Sequence, residues 1–398
     1  MRAPNLPRAA LTLAILAQIS LPVPAIAQPQ NVQPRNAQPI APPSAEDAPM
    51  AYLVDAANGQ VLFAREADRR FMPASLTKAM TTFLAFELME EGRLRQGAVH
   101  TVKPETFRKW RGVGSTMFLG ANDRVTADDL LHGVTTVSAN DGAVVLAESV
   151  AGSVAAWTRA MNRKAREIGM ADSHFETPNG WMDEGGTFVT ARDLATLGRA
   201  MVERHPAKYA HYVGKREFRY NDITQPNHDP LSGVVPGVDG IKTGFTNQAG
   251  YGYLASAKRG RQRLVMVIAG SPRSGARNRA ARQLLEWGFA SFRQRELAAG
   301  AREIARAAVQ GGDALRVPLA ARTPLVVDLP YRNAPEVTTR LTYEGPLIAP
   351  IAKGETVAQL EVTLGSSETH TVPLAAMEEV AEASFLRRIW NGIVGWFA

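Results

Sequence analysis

The chain has 398 residues, 45% of them hydrophobic, which is enough core material for two domains. Its formal charge of +7 suits anionic surfaces such as phospholipid or cell-wall polymer. No nucleic-acid-binding signature accompanies that charge, so nucleic acid is not expected as a partner. The absence of cysteine excludes disulfides and attachment through a lipidated cysteine, leaving stability to packing.

Residues 1–27 read as a signal peptide. Arg2 and Arg8 make a short basic start, residues 9–21 are an apolar run, and Ala25-Ile26-Ala27 is a small-x-small cleavage site. The run is broken by Pro22 and Pro24 and is short for a membrane span, which needs about 20 apolar residues. The competing reading is an uncleaved anchor. Removal of the signal takes away two arginines and no acid, so the mature chain stays basic. Residues 28–49, rich in Gln, Pro, Asn and Ala, read as a disordered linker.

Folding is expected to begin at residue 50. Ala51-Tyr52-Leu53-Val54 and Gln60-Val61-Leu62-Phe63 are β-type runs joined through Asn58-Gly59, a hairpin signal. Pro73 then suits a helix start. Apolar residues at Leu76, Met80, Phe83, Leu84 and Leu88 predict an amphipathic helix ending near Gly92. Ser75 falls in its first turn, where free backbone N–H groups face an approaching anion. Lys78 lies three residues on, on the same face. A serine hydroxyl needs a neighbouring base, and a lysine can serve if burial or a second cation holds it neutral. Ser75 and Lys78 are thus a candidate nucleophile and base. Ser-x-x-Lys by itself fits equally well a capped helix with a solvated lysine.

Thr126 with Asp129 resembles a capping box ahead of Leu130, Leu131 and Val134. That helix runs out at Ser138-Ala139-Asn140-Asp141-Gly142, and two further helices follow to Gly169. Thr177-Pro178-Asn179-Gly180 is turn chemistry. Thr190 and Asp193 cap another helix. Val238 to Gly244 opens a strand, residues 250–258 and 263–270 form a hairpin, and residues 276–292 a long helix. Strands from both ends flanking a helical block predict an α+β fold with an antiparallel sheet over residues 50–299. Residues 300–380 read as a small all-β domain. Residues 381–398 read as an amphipathic helix: Phe385, Leu386, Ile389, Trp390, Ile393, Val394 and Phe397 share one stripe opposite Arg387, Arg388 and Asn391. That helix suits a membrane interface, the alternative being docking on its own domain.

Ser75-x-x-Lys78, Ser138-Ala139-Asn140 and Lys242-Thr243-Gly244 are each weak alone. In this order, after a signal peptide, they resemble the penicillin-recognising serine acyltransferases. The flanking residues Pro73-Ala74 and Ala79-Met80-Thr81, Asp141-Gly142-Ala143, Met161-Asn162, Asp239-Gly240-Ile241, Phe245-Thr246 and Ala249-Gly250-Tyr251 narrow the likeness. They resemble the serine-type D-alanyl-D-alanine carboxypeptidases, the low-molecular-mass penicillin-binding proteins. The resemblance implies a transpeptidase/β-lactamase-like domain, a β-rich domain and a membrane-anchoring helix, at the periplasmic face of the cytoplasmic membrane. It implies that Ser75 attacks the carbonyl between two terminal D-alanines of a peptidoglycan stem peptide, with Lys78 as base. Ser138 would relay a proton to the leaving amine, and Asn140 would hold the substrate backbone. Lys242 and Thr243 would receive the terminal carboxylate, Gly244 would let the ligand lie close, and the N–H groups of Ser75 and Phe245 would form an oxyanion hole. β-Lactams would acylate Ser75. Ala139 and Phe245 depart from the glycine and histidine of many relatives, which bears on substrate preference and deacylation rather than on reaction class.

Three other readings compete: a D,D-endopeptidase, a β-lactamase with Glu176 as the deacylating carboxylate, and a non-catalytic wall-binding protein. No cofactor is expected. The seven histidines, His132, His174 and His228 among them, show no paired ligand spacing, so no metal is expected either. The glycines from Gly112 to Gly120 lack the lysine of a phosphate loop.

Overall fold

Residues 40–365 and 369–384 are described by the computed structural model of the chain, and they fall into two units divided between Ser291 and Phe292. In the first, β1 (Met50–Asp55) and β2 (Val61–Arg65) form the expected hairpin, with Gly59 at φ 75° in its turn. There follow α1 (Thr77–Glu90), β3 (Val99–Thr101), α2 (Pro104–Trp110), β4 (Arg124–Thr126), α3 (Ala127–Thr136) and α4 (Asn140–Ala151). Next come α5 (Val154–Glu167), α6 (Ala191–Arg204), α7 (Pro206–Tyr212) and a short hairpin of β5 (Glu217–Tyr220) with β6 (Ile223–Pro226). Three long strands, β7 (Val238–Thr246), β8 (Gly250–Arg259) and β9 (Gln262–Ser271), lead into α8 (Ser274–Ser291).

The main sheet is antiparallel throughout, in the order β2-β1-β9-β8-β7. Strands from both ends of the unit meet where β1 pairs with β9, which leaves the helical block inserted between them. Helices cover both faces. Gly198 of α6 abuts Val265, Leu254 and Ile241, whereas Gly288 of α8 abuts Leu53 and Leu264. Neighbours Leu264 and Val265 point to opposite faces, so β9 is apolar at consecutive positions rather than alternate ones. β7 stands at the edge, with one side of its backbone unpaired by the sheet.

The helix carrying Lys78 differs from the amphipathic one expected. Every residue of α1 from Thr77 to Leu88 is buried, so the helix runs through the core with neighbours all round. Thr81 and Glu87 are matched inside: Thr81 donates to Pro178 O at 2.6 Å, and the Glu87 carboxylate meets His205 (2.6 Å), Arg204 (2.9 Å) and Lys164 (3.1 Å). Burial alone would raise the Glu87 pKa, but those cations outweigh it and hold the carboxyl below its ordinary value. The expected caps are present, the Thr126 and Thr190 hydroxyls accepting from the N–H groups of Asp129 and Asp193.

Two boundaries differ from those expected. Residues 40–49, read as the end of a disordered linker, are packed on the first unit. Ala48 is fully buried, Asp47 O accepts from Ser271 Oγ at 2.6 Å, and Ala41 O accepts from Gln283 at 2.9 Å. Their backbone groups find partners that a Pro-rich composition does not reveal. The second unit begins at Phe292 rather than at residue 300, because residues 292–298, expected to close the first domain, form a strand that pairs with residues 325–330.

That second unit is all β, as expected: β10 (Phe292–Ala298), β11 (Ala305–Gln310), β12 (Arg316–Ala321), β13 (Leu325–Pro330), β14 (Val337–Thr342), β15 (Leu347–Ile348), β16 (Thr356–Leu364) and β17 (Thr369–Ala376). β10 pairs with β13, and the others form a sheet in the order β14-β16-β17-β12-β11-β15. β16 alternates, sending Ala358, Leu360, Val362 and Leu364 into the core. The signal peptide and the terminal amphipathic stripe from Phe385 onward lie outside the described residues. Among the described residues, no helix is long and apolar enough to cross a membrane.

Candidate active site

Ser75 lies in a 3-10 turn, Ala74–Leu76, that leads directly into α1. The residue before it, Ala74, has φ 50°, in the left-handed region that a side chain other than glycine rarely adopts. Gly180 explains how that backbone is held. Its own φ is 70°, and a Cβ there would come within 1.8 Å of Ala74 O, so the loop 177–180 presses directly on the Ser75 turn.

Lys78 is wholly buried one helical turn after Ser75. Its Nζ lies 2.9 Å from Ser75 Oγ, 2.7 Å from Asn140 Oδ1 and 2.7 Å from Asn179 O. Burial pushes its pKa well below the lysine range, the charge on Lys242 pushes the same way, and Asp141 opposes them. The contacts settle what a neutral amine does here. Asn179 O is a pure acceptor. Asn140 is oriented by its other end, since Nδ2 donates to Val113 O at 2.9 Å, and so it too presents an acceptor to Lys78. A neutral amine has two N–H groups and one lone pair. The two carbonyl oxygens take the N–H groups, and the lone pair is left facing Ser75 Oγ.

The third sequence motif enters along β7. A Cβ at Gly244 would meet Pro73 O at 2.8 Å and Leu76 N at 3.1 Å, so the strand passes against the Ser75 turn. The missing side chain at Gly244 therefore serves contact with that turn. Lys242 is buried, and among the described residues Thr243 O (3.2 Å) is its one hydrogen-bond partner. Its pKa is pulled down to about 7, chiefly by burial and further by Arg277, against the opposing charge of Asp229. Thr243 is buried beside it, and Phe245 is 46% exposed and stacked on Tyr251 at 4.1 Å. Ser138 is buried in the turn between α3 and α4, with φ 62°. Among the described residues no hydrogen bond joins its hydroxyl to Lys78 or Lys242. Ser75, Lys78 and Asn140 are thus linked directly, Gly244 packs on them, and Lys242 is coupled to Lys78 through charge.

Several residues of the site were not singled out from the sequence. Asn179 contributes a backbone carbonyl, which no residue type advertises; the Asn-Gly dipeptide was the available signal. Asp141 is buried and takes four donors, the Thr116 hydroxyl and the N–H groups of Met117, Leu119 and Gly142, which binds the 116–119 segment over the start of α4. Gly114 leaves room for Asn140 Nδ2 and Trp181, each 2.7 Å from where its Cβ would stand. Arg277 lies over the rings of Tyr251 and Tyr253 and adds a cation whose charge lowers the Lys242 pKa. His228 is held neutral, its pKa lowered to about 4 by burial and by Lys242 and Lys78. Glu176 is half exposed, with its carboxylate 3.9 Å from His174, and no hydrogen bond among the described residues ties it to Ser75 or Lys78. Outside this site, Asp128, His132 and His211 converge, two histidines and a carboxylate that sequence spacing does not reveal because α3 and α7 supply them separately.

The family model for D-alanyl-D-alanine carboxypeptidase matches residues 36–273. The chain belongs to that family. The C-terminal domain model of penicillin-binding protein 5 matches residues 292–382, in agreement with a second unit that starts at Phe292. The D-alanyl-D-alanine carboxypeptidase DacC of Escherichia coli is 34% identical, over 87% of this chain and 88% of its own length. DacA of Haemophilus influenzae is 32% identical, over 86% and 87%. The solved structure of penicillin binding protein 5 from Haemophilus influenzae covers 86% of this chain and all of its own, at 32% identity and a TM-score of 0.76. Penicillin-Binding Protein D2 of Listeria monocytogenes, solved in the ampicillin bound form, covers 63% of this chain at 26% identity and a TM-score of 0.56. The chain is a serine-type D-Ala-D-Ala carboxypeptidase of the penicillin-binding protein 5 kind.

Gly180→Ala is expected to force the 177–180 loop off the Ser75 turn. Overpacking of this sort costs about 1–3 kcal/mol, and the larger effect should be on the site. A thermal melt and the rate of acylation by a fluorescent penicillin check it: acylation should fall at least tenfold. An unchanged rate would show that the loop does not hold the turn.

Proposed function

We propose that Ser75 is the nucleophile of the carboxypeptidase and Lys78 its general base. The observation that carries this reading is the set of three contacts at Lys78 Nζ, which leaves its lone pair for the Ser75 hydroxyl proton. Ser75 Oγ attacks the carbonyl between the two terminal D-alanines as its proton passes to Lys78. The tetrahedral oxyanion is received by the N–H groups of Ser75 and Phe245, a pairing supported by the close packing of Gly244 on the Ser75 turn. The C–N bond then breaks, D-alanine leaves with a proton relayed through Ser138, and the acyl group stays on Ser75 until water releases it.

The terminal carboxylate of the substrate faces Lys242, Thr243 and Arg277. Two buried cations and a hydroxyl fit a free carboxylate, and an internal peptide bond would leave those cations without a counter-charge. This favours trimming of stem peptides ending in D-Ala-D-Ala over cutting of cross-links. Asn140 holds Lys78 through its carbonyl and has one N–H left over for the substrate backbone. The unpaired edge of β7 offers that backbone the hydrogen bonds of an added strand. β-Lactams take the same path to an acylated Ser75. The exported chain acts on the wall from the periplasmic face of the cytoplasmic membrane, held there peripherally by residues 384–398. Deletion of those residues should move the protein from the membrane pellet to the soluble fraction; continued sedimentation with membranes would refute the anchor.

D-Alanine release from a peptide ending in Lys-D-Ala-D-Ala tests the chemistry. Wild type should release D-alanine, and Ser75→Ala should reduce release to background while melting as wild type does. Persisting release from Ser75→Ala would overturn the assignment of the nucleophile.

The charge on Lys242 helps to keep Lys78 deprotonated, so Lys242→Gln should raise the Lys78 pKa. The acid limb of the pH profile for penicillin acylation should therefore move to higher pH. A limb that stays in place would show that Lys78 is not the group being titrated.

A further inference from the structure

A second constellation lies outside the Ser75 site, on α3 and α7. Asp128 and His132 are four apart on α3 and share one face, and α7 brings up His211. The three ligand atoms all lie within 4.8 Å of one another. Asp128 Oδ1 is 3.1 Å from His211 Nε2 and 4.0 Å from His132 Nε2. Gln96 Nε2 joins them, 2.7 Å from Asp128 Oδ1 and 2.9 Å from His211 Nε2. The Tyr212 hydroxyl, almost wholly buried and without a hydrogen-bond partner of good geometry, faces the same carboxylate.

Protons alone do not satisfy this cluster. The Gln96 amide donates to Asp128, and His211 Nε2 must then act as either donor or acceptor. As a donor to Asp128 it opposes the Gln96 N–H at 2.9 Å. As an acceptor from Gln96 it sets a lone pair against the carboxylate at 3.1 Å. One contact of the triangle is repulsive in either tautomer. A cation between the atoms removes the conflict: both imidazoles and the carboxylate present lone pairs to it, and an inverted Gln96 amide adds its carbonyl oxygen. Tetrahedral zinc with bonds of about 2.0–2.1 Å sets its ligand atoms roughly 3.3 Å apart; the Asp128–His211 pair at 3.1 Å is near that spacing, and His132, at 4.0 Å from Asp128, would have to draw in.

We infer that Asp128, His132 and His211 form a binding site for a divalent transition cation of the zinc class. Two imidazoles and a carboxylate, with a neutral oxygen as fourth ligand, suit that ion better than calcium or magnesium, which favour oxygen ligands alone. The cation clasps α3 to α7. Thr135 on α3 already donates to Tyr212 O at 2.8 Å, and α3 ends two residues before Ser138. Metal there would steady the helix that delivers the Ser138 turn, without touching substrate.

The probe is zinc chloride added to the full chain after treatment with a chelator and its removal. Calorimetric titration should give one zinc per chain, and the thermal midpoint should rise with zinc concentration. Cobalt(II) in its place should give the visible absorption of a tetrahedral site. His211→Ala, at an exposed position, should weaken zinc at least about tenfold and abolish the rise in midpoint, while D-alanine release stays within about twofold. Absence of saturable binding, or zinc affinity that is unchanged in His211→Ala, would mean an adventitious ion only and overturn the site.

Discussion

The enclosed amine of Lys78, the base of the proposed mechanism, is the constraint on which the catalytic unit depends. A lysine can be a base at neutral pH only if it is both uncharged and correctly aimed, and those two requirements are met by different parts of the fold. Burial in α1 and the nearby Lys242 push its pKa well down. Aim comes from two acceptors on separate loops, Asn140 at the start of α4 and Asn179 ahead of Gly180. Each loop is in turn fixed by something further out: Asp141 gathers the 116–119 segment, Val113 orients Asn140, and Thr81 holds the Pro178 carbonyl. The hydrogen bonds around one amine thus tie together α1, α4 and the 177–180 loop.

This explains why α1 is buried on every side. An amphipathic helix at the surface would leave Lys78 partly in water and charged. Enclosure of the whole helix keeps the amine dry, and the helix must then satisfy its polar residues internally, as Thr81 and Glu87 do. The sheet contributes differently. It ends at β7, so that one strand supplies Lys242 and Thr243, the Gly244 contact with the Ser75 turn, and an open row of backbone groups.

The groups that the proposed mechanism uses were legible in the sequence because their chemistry needs particular side chains: Ser75, Lys78, Ser138, Asn140, Lys242 and Thr243 all stand in short motifs. The hairpin at Asn58-Gly59 and the caps at Thr126 and Thr190 were legible because local backbone geometry dictates them. What remained hidden was tertiary. The Asn179 carbonyl is the same group every residue carries. The reason for Gly180 is visible only once Ala74 O is 1.8 Å from its absent Cβ. Arg277 reaches the site from a helix far along the chain. Residues 40–49 have the composition of a linker, and it is their backbone, which composition does not describe, that packs on the first unit.

The depressed pKa of Lys78 also bears on how firmly the fold holds together. In an unfolded chain both Lys78 and Lys242 would carry a proton up to the ordinary lysine range, about 10.4. In the folded protein Lys242 gives up its proton near pH 7, and Lys78 also lies well below the ordinary value. Between the folded and unfolded values the unfolded chain binds more protons, so through these groups stability increases as pH rises and is reduced at neutrality. At neutral pH the two lysines therefore pull toward unfolding. Its large apolar core and the ion pairs around Glu87 are the reserve that lets a reactive amine stay inside a stable protein.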